Sequence, residues 1–193
     1  MVKKKVAVLV SGGGTNLQAL IDSEKSGIIK SGTISLVVSN KEGAYALERA
    51  KNAGIEAVYI KRGAEFEEKL IKLLEEKNIG LIVLAGFLSI LSENFVRKYN
   101  KKIINVHPSL IPSFCGDGFY GLKVHEAALK KGVKVTGATT HFVNEITDGG
   151  EIIMQKAVEI APDDTAETLQ LKVMQQAEWI ILPLSVEKVC SEN

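Results

Sequence analysis

Short runs of consecutive apolar residues alternate, through the first half of the chain, with longer segments in which apolar positions recur every three or four residues. The runs Lys5–Val10, Ile34–Ser39, Ala57–Ile60, Leu81–Ala85 and Ile103–Val106 are rich in Val and Ile, as strands buried on both faces are. Between them, Leu17–Lys25, Ala44–Ala53 and Phe66–Lys77 have helical period. In the last of these, Phe66, Leu70, Leu73 and Leu74 share one face while the Glu and Lys residues take the other. Gly54 and Asn78-Ile79-Gly80 stand where helices stop. Alternation of this kind predicts a Rossmann-like α/β fold, a mostly parallel sheet with helices on both faces.

Beyond Val106 the pattern changes. Residues 107–121 read as a long loop punctuated by Pro108, Pro112, Gly116, Gly118 and Gly121, followed by a short helix over Val124–Lys130. Two further strands, Val135–Val143 and Glu151–Ile160, flank Asp148-Gly149-Gly150 with the spacing of a hairpin, which predicts antiparallel C-terminal strands. Asp163-Asp164-Thr165 offers N-cap chemistry for a last helix reaching about Val189, which Pro183 is expected to kink or interrupt. There is no internal repeat, low-complexity tract or linker, so a single domain over residues 1–193 is expected.

Composition narrows the function classes. With 193 residues, 46% hydrophobic, and a mean hydropathy of +0.11, the chain can bury one compact core. Lys plus Arg number 24 against 23 Asp plus Glu, a net charge of +1, which leaves no excess to neutralise the phosphates of a nucleic acid. The longest apolar run, Ile79–Ile90, is broken by two glycines and a serine and falls short of a membrane span. The basic start Met1–Lys5 is followed by Val6–Val10, too short for a secretory segment. Cys115 and Cys190 have neither metal-site spacing nor the density of a disulfide scaffold. A cytoplasmic protein without membrane or nucleic-acid partners is expected.

The first strand runs straight into Ser11-Gly12-Gly13-Gly14-Thr15-Asn16 and then a helix. Free backbone N–H groups and the positive end of the helix dipole make such a turn an anion site. A dinucleotide fingerprint would need a third glycine where Leu17 stands, and an acidic residue where the second strand ends in Ser39-Asn40. The lysine of a nucleotide-triphosphate loop is missing too, since Asn16-Leu17 occupies its place. A monophosphate or phosphosugar, held by backbone N–H groups with Thr15 and Asn16, fits better; the alternative is a tight turn with no ligand.

Asn105 and His107 alternate at the end of the fifth strand, so both side chains point to one side at the carboxyl edge of the sheet. His141 lies in a later strand and Asp148 in the turn after it. Converging, Asn, His and Asp make an acyl-transfer set: an amide for a carbonyl, an imidazole for an oxyanion or a proton, a carboxylate to orient or charge it. The plain alternatives are a satisfied structural histidine and ordinary turn chemistry at Asp148. Zinc held by His107, His141 and Asp148 lacks a close ligand pair, so no metal is expected. No G-x-S-x-G surrounds any serine, which argues against a serine hydrolase. His125, in the short helix, reads as peripheral, and Cys115, without an obvious base, as non-catalytic.

Five segments carry a resemblance: Ser11–Gln18, Leu84–Leu88, Asn105–Pro112, Val135–Val143 and Asp148-Gly149-Gly150. Together, from Val6 to about Pro183, the chain resembles the glycinamide ribonucleotide formyltransferases of the folate-dependent formyltransferase superfamily. The resemblance implies transfer of a formyl group from 10-formyltetrahydrofolate to the amine of glycinamide ribonucleotide in de novo purine synthesis. It places the phosphoribosyl loop on Gly14, Thr15 and Asn16, and the folate side on Leu88, Ser89, Ile90, Leu91 and His141, with Asn105 bridging to the reacting centre. His107 is then the catalytic group and Asp148 its charge partner; Glu178, with Gln175 on the same helix, contacts the amine substrate. The implied chemistry is direct amine attack, with the oxyanion held by Asn105 and protonated His107. Asp148 would raise the histidine pKa and assist proton transfer. Residues 1–100 would form a phosphate-binding half and 101–193 a catalytic and folate-site half, in a monomer or homodimer.

This chain departs from the family in three places. Ser89 stands where an arginine is common, Arg62 is only a loose counterpart of the arginine before the third helix, and the loop Ser113–Gly121 is longer, with Cys115 in place of proline. Balanced charge and the lack of further domains argue against the tRNA-formylating and folate-hydrolysing branches. A sugar-nucleotide formyltransferase stays open, as does a phosphosugar-binding module, though a pure binder has no need of Asn105, His107 and Asp148 together.

Overall fold

The computed structural model describes residues 2–192; Met1 and Asn193, the ends of the expected domain, lie outside the described residues. Strands β1 (Lys4–Val10), β2 (Gly32–Ser39), β3 (Glu56–Tyr59), β4 (Leu81–Leu84) and β5 (Ile103–His107) pair in parallel in the order β3-β2-β1-β4-β5. Strands β6 (Val135–Phe142) and β7 (Ile152–Glu159) extend the sheet antiparallel beyond β5, as the hairpin spacing predicts. The chain winds outward from β1 through β2 to β3, then returns to β4 on the other side. That reversal opens a crevice at the carboxyl ends of β1 and β4, the usual ligand position in such sheets.

Helices α1 (Thr15–Lys25), α2 (Tyr45–Asn52) and α3 (Phe66–Glu76) connect the parallel strands where the helical period places them. The side-chain alternation of β1 feeds two cores. Val6, Val8 and Val10 pack with Leu17, Leu20 and Leu182 on one face, and Ala7 and Leu9 with Phe66, Leu70 and Phe95 on the other. Burial on both faces is why these strands read as unbroken apolar runs. A third cluster, Ala138, Val158, Leu169, Val173, Ala177 and Ile181, seats the C-terminal helices on β6 and β7. No helix among the described residues is long and apolar enough to cross a membrane.

Two features depart from the sequence reading. Helix α4 (Glu93–Lys98) was not signalled by period because it is under two turns long and buries only Phe95 and Val96. Its start is fixed instead by the Ser92 hydroxyl, which accepts a hydrogen bond from the Phe95 N–H at 3.2 Å. At the C-terminus, helix α6 (Ala166–Val173) passes through a π-helical turn, Met174–Glu178, into helix α7 (Trp179–Ser191), which contains Pro183 without breaking. Proline cannot bond to the carbonyl of Trp179, and the wider winding falls in the turn just before it rather than as an interruption at Pro183.

Helix α5 (Leu122–Lys131) carries His125 inward. Far from peripheral, this ring is fully buried, and neither nitrogen has a hydrogen-bond partner among the described residues. Burial, then the neighbouring His107, pushes its pKa down to about 4. An unfolded histidine titrates near 6.5, so between these values the unfolded chain binds more protons and stability falls as pH falls, by up to about 3 kcal/mol. His125→Leu is expected to flatten that acid limb in urea denaturation between pH 6.5 and 4. An unchanged slope would assign the acid sensitivity to another group.

Candidate active site

The glycine loop is held from behind by its carbonyls. The Ala46 N–H donates to the Gly12 carbonyl at 3.1 Å, and Arg49 Nε to the Gly13 carbonyl at 2.8 Å. Gly14 caps α1 at φ 72°, and a Cβ there would lie 2.6 Å from that of Ala46, so only glycine lets α2 approach this closely. The N–H groups of Gly12 through Leu17 have no hydrogen-bond partner among the described residues, and α1 has no acidic residue in its first turn. A row of free donors at a helix N-terminus is an anion site.

Asn16 turns inward, its Nδ2 donating to Glu178 Oε2 at 2.7 Å, while its Oδ1 has no partner among the described residues. Glu178 comes from the π-helical turn, and burial raises its carboxyl above the ordinary value despite the Asn16 hydrogen bond. The first and second halves of the chain thus interleave at this point. Gln175, on the same turn, is exposed and makes no hydrogen bond to Asn16 or Glu178.

A second chain of hydrogen bonds ties the glycine loop to the segment after β4. The Ser11 hydroxyl donates to Asn40 Oδ1 at 2.8 Å and accepts from the Leu88 N–H at 2.9 Å; Asn40 Nδ2 donates to the Ser89 hydroxyl at 2.6 Å. Ser89 therefore spends its hydroxyl on Asn40, where an arginine would reach outward. Leu88 and Ile90 expose apolar side chains, while Leu91 is buried beneath them. Leu84 is the register partner of Asn105, so the chain leaves β4 beside Asn105 on its way to the 88–91 segment. Arg62 is exposed, ahead of α3, and forms no ion pair among the described residues.

The antiparallel pairing of β5 with β6 sets Asn105 opposite His141. His141 Nδ1 faces the Phe142 carbonyl at 2.8 Å and so carries a hydrogen, and its Nε2 lies 3.2 Å from Asn105 Nδ2. Asp148 lies between the two histidines, Oδ2 3.4 Å from His107 Nδ1 and Oδ1 3.5 Å from His141 Nε2. The Asp-Gly-Gly turn makes this possible: Asp148 adopts φ 55°, and a Cβ at Gly150 would overlap the Phe142 carbonyl at 1.7 Å. Thus the sheet and one turn bring Asn105, His107, His141 and Asp148 together.

The loop after β5 closes over this cluster, leaving His107 only 4% exposed. The Phe114 carbonyl sits 2.9 Å from His107 Nε2, and the Gly116 N–H donates to Asp148 Oδ2 at 2.9 Å. These backbone contacts had no sequence signal, because any residue supplies them. Cys115, between them, donates its thiol to the Pro112 carbonyl at 3.3 Å, and burial, then Asp148, raises its pKa, the opposite of what activates a thiol.

The electrostatics of the pair are a contest. Burial, the largest influence, lowers the His107 pKa; Asp148 and the Phe114 carbonyl pull it up and His141 pushes it down. Asp148 acts in the expected direction, yet burial outweighs it in the closed loop. His107 Nε2 faces the Phe114 carbonyl and Nδ1 faces the Asp148 carboxylate at 3.4 Å, so a proton gained at Nδ1 would place the cation beside that carboxylate. Burial alone would raise the Asp148 carboxyl. The His141 ring, the Gly116 N–H and the His107 ring more than offset that and hold it below its ordinary value. An ionised carboxylate beside an imidazole and an oriented amide is an arrangement that can stabilise a developing oxyanion and move a proton.

The formyl transferase family pattern matches residues 4–185. The chain is 41% identical to the phosphoribosylglycinamide formyltransferase of Haemophilus influenzae, over 95% of this chain and 86% of that protein. It is 45% identical to the human trifunctional purine biosynthetic protein adenosine-3, over 98% of this chain but only 18% of the relative's length. The chain thus spans under a fifth of that larger protein and of its chicken and bovine counterparts. The crystal structure of phosphoribosylglycinamide formyltransferase from Anaplasma phagocytophilum superposes with a TM-score of 0.90 at 40% identity, covering 99% of this chain and 89% of that one. By sequence and by fold, this chain belongs to the formyl transferase family.

Proposed function

We propose that the chain transfers a formyl group from 10-formyltetrahydrofolate to the primary amine of glycinamide ribonucleotide, a step of purine synthesis, as a single cytoplasmic domain. One observation carries the reading. The Asn105–His141–Asp148–His107 cluster and the open row of backbone N–H groups lie on the same carboxyl edge of the sheet. A phosphosugar on the glycine loop, at Gly14, Thr15 and Asn16, has its amine directed toward Asn16 and Glu178 and onward to Asn105. The exposed Leu88 and Ile90, with the backbone of Ser89 and Leu91, offer an apolar and hydrogen-bonding edge suited to a flat heterocycle.

The formyl donor supplies an activated carbonyl carbon for the amine to attack. Asn105 Nδ2, held by His141, presents its second N–H to the oxygen that gains charge. His107 presents Nε2–H to the same oxygen once the Phe114 carbonyl withdraws from it. Loop displacement is therefore part of substrate entry. Asp148 favours the imidazolium and, through a water, receives the proton shed by the amine; as the oxyanion collapses the carbon–N10 bond breaks, that proton passes to N10, and tetrahydrofolate leaves.

The purified protein mixed with both substrates is expected to release tetrahydrofolate only when glycinamide ribonucleotide is present, followed by absorbance. Release without the amine would make the protein a hydrolase. No release with either would defeat the proposal.

A further inference from the structure

We infer that Arg49, on α2, recognises the phosphate group of the acceptor and sets the preference for a phosphorylated amine. This rests on the phosphate reading of the glycine loop given above. The loop itself has no cation: the lysine of a triphosphate loop is absent, and its own donors are backbone N–H groups. Arg49 is the basic residue built against it. Its Nε donates to the Gly13 carbonyl at 2.8 Å, and its Cδ lies 3.5 Å from the position a Gly14 Cβ would take, so the side chain runs along the loop.

The guanidinium is fixed by three contacts and neutralised by none. Besides Gly13, Nη1 donates to Gln18 Oε1 at 3.1 Å, and the group stacks over the Tyr45 ring, 4.9 Å from its centroid. Among the described residues no carboxylate lies within ion-pair distance of Arg49. Its neighbour Glu48 pairs with Lys51 at 2.9 Å, and Asp22 reaches it only through Gln18, whose Nε2 donates to Asp22 Oδ1 at 2.9 Å. Two of the five guanidinium N–H donors are engaged, which leaves the others for an anion. An arginine normally at liberty to sample many rotamers is here held against the loop that carries a row of unpaired N–H groups, with its charge uncompensated. A phosphate monoester, carrying up to two negative charges, is the ligand chemistry that completes both.

The test compares wild type, Arg49→Met and Arg49→Lys in two measurements. In calorimetry with ribose 5-phosphate, binding to Arg49→Met is expected to weaken about 10- to 100-fold, with Arg49→Lys between it and wild type. In formyl transfer, the ratio of kcat/KM for glycinamide ribonucleotide to that for its unphosphorylated riboside is expected to fall by the same factor in Arg49→Met. Equal binding of ribose 5-phosphate by wild type and Arg49→Met would overturn the role of Arg49 while leaving the loop as a phosphate site. Losses that strike both acceptors alike, leaving the ratio unchanged, would also overturn it and reduce Arg49 to a brace for the loop. Failure of wild type to bind ribose 5-phosphate would overturn the phosphate reading together with this inference, whatever the formyl-transfer assay shows.

Discussion

His107→Ala and Asn105→Ala are each expected to lower kcat by about a hundredfold or more, the usual loss when a positioned oxyanion donor is removed. In the proposed mechanism the two act on one developing charge from different strand positions, so neither replaces the other. Asn105 has its orientation fixed by His141 at 3.2 Å, and alanine there removes the donor without disturbing the His141–Phe142 contact. His107→Ala removes the imidazole and also frees the Phe114 carbonyl and Asp148 from their shared partner. Thermal denaturation keeps the reading clean, because an unfolded variant would lose activity for a different reason. The stringent comparison is between kcat and KM. Donors that act only as charge develops lower kcat with little change in KM, whereas residues that merely hold substrate raise KM. Near-normal turnover in either folded variant would remove that residue from the mechanism.

The parallel half of the sheet was legible because burial on both faces writes itself into β1, β2 and β4 as continuous apolar runs. The antiparallel return of β6 and β7 was legible from the turn chemistry of Asp148-Gly149-Gly150. Short or irregular winding was not. Helix α4 buries too few residues to show a period, and the π-helical turn before Trp179 carries no residue pattern of its own.

The candidate site divides in the same way. Asn105, His107, His141 and Asp148 carry side-chain chemistry at strand ends and a glycine turn, which the chain pattern locates. What closes the site is backbone: Phe114 supplies a carbonyl and Gly116 an N–H, and neither leaves a trace in composition. Long-range side-chain pairings, such as Asn16 with Glu178 or Ser89 with Asn40, depend on which loops meet, and only the assembled sheet decides that. The burial that dominates His107 and His125 is equally a product of packing, so a sequence can name a histidine without saying which way its pKa moves.

Asp148→Asn is expected to cut kcat at neutral pH by about a hundredfold and to move the alkaline limb of the pH–rate profile toward lower pH. The substitution keeps the shape of the side chain, and an amide oxygen can still accept from Gly116, so the loop contact survives. What it removes is the negative charge 3.4 Å from His107 Nδ1. That charge is the largest influence raising the His107 pKa against burial. Without it burial prevails further, and the imidazolium persists only at lower pH. If the working form of His107 is protonated, rate falls as pH rises through its pKa. A lower pKa therefore brings the fall earlier, by about 1 to 3 pH units for the loss of a neighbouring opposite charge. The acid limb, set by protonation of the attacking amine, should stay in place, so the profile narrows from its alkaline side and the loss is smallest at the acid end. A profile scaled down uniformly, with both limbs unmoved, would mean that Asp148 serves proton transfer alone. The charge on His107 would then have to come from the bound substrates and the opened loop.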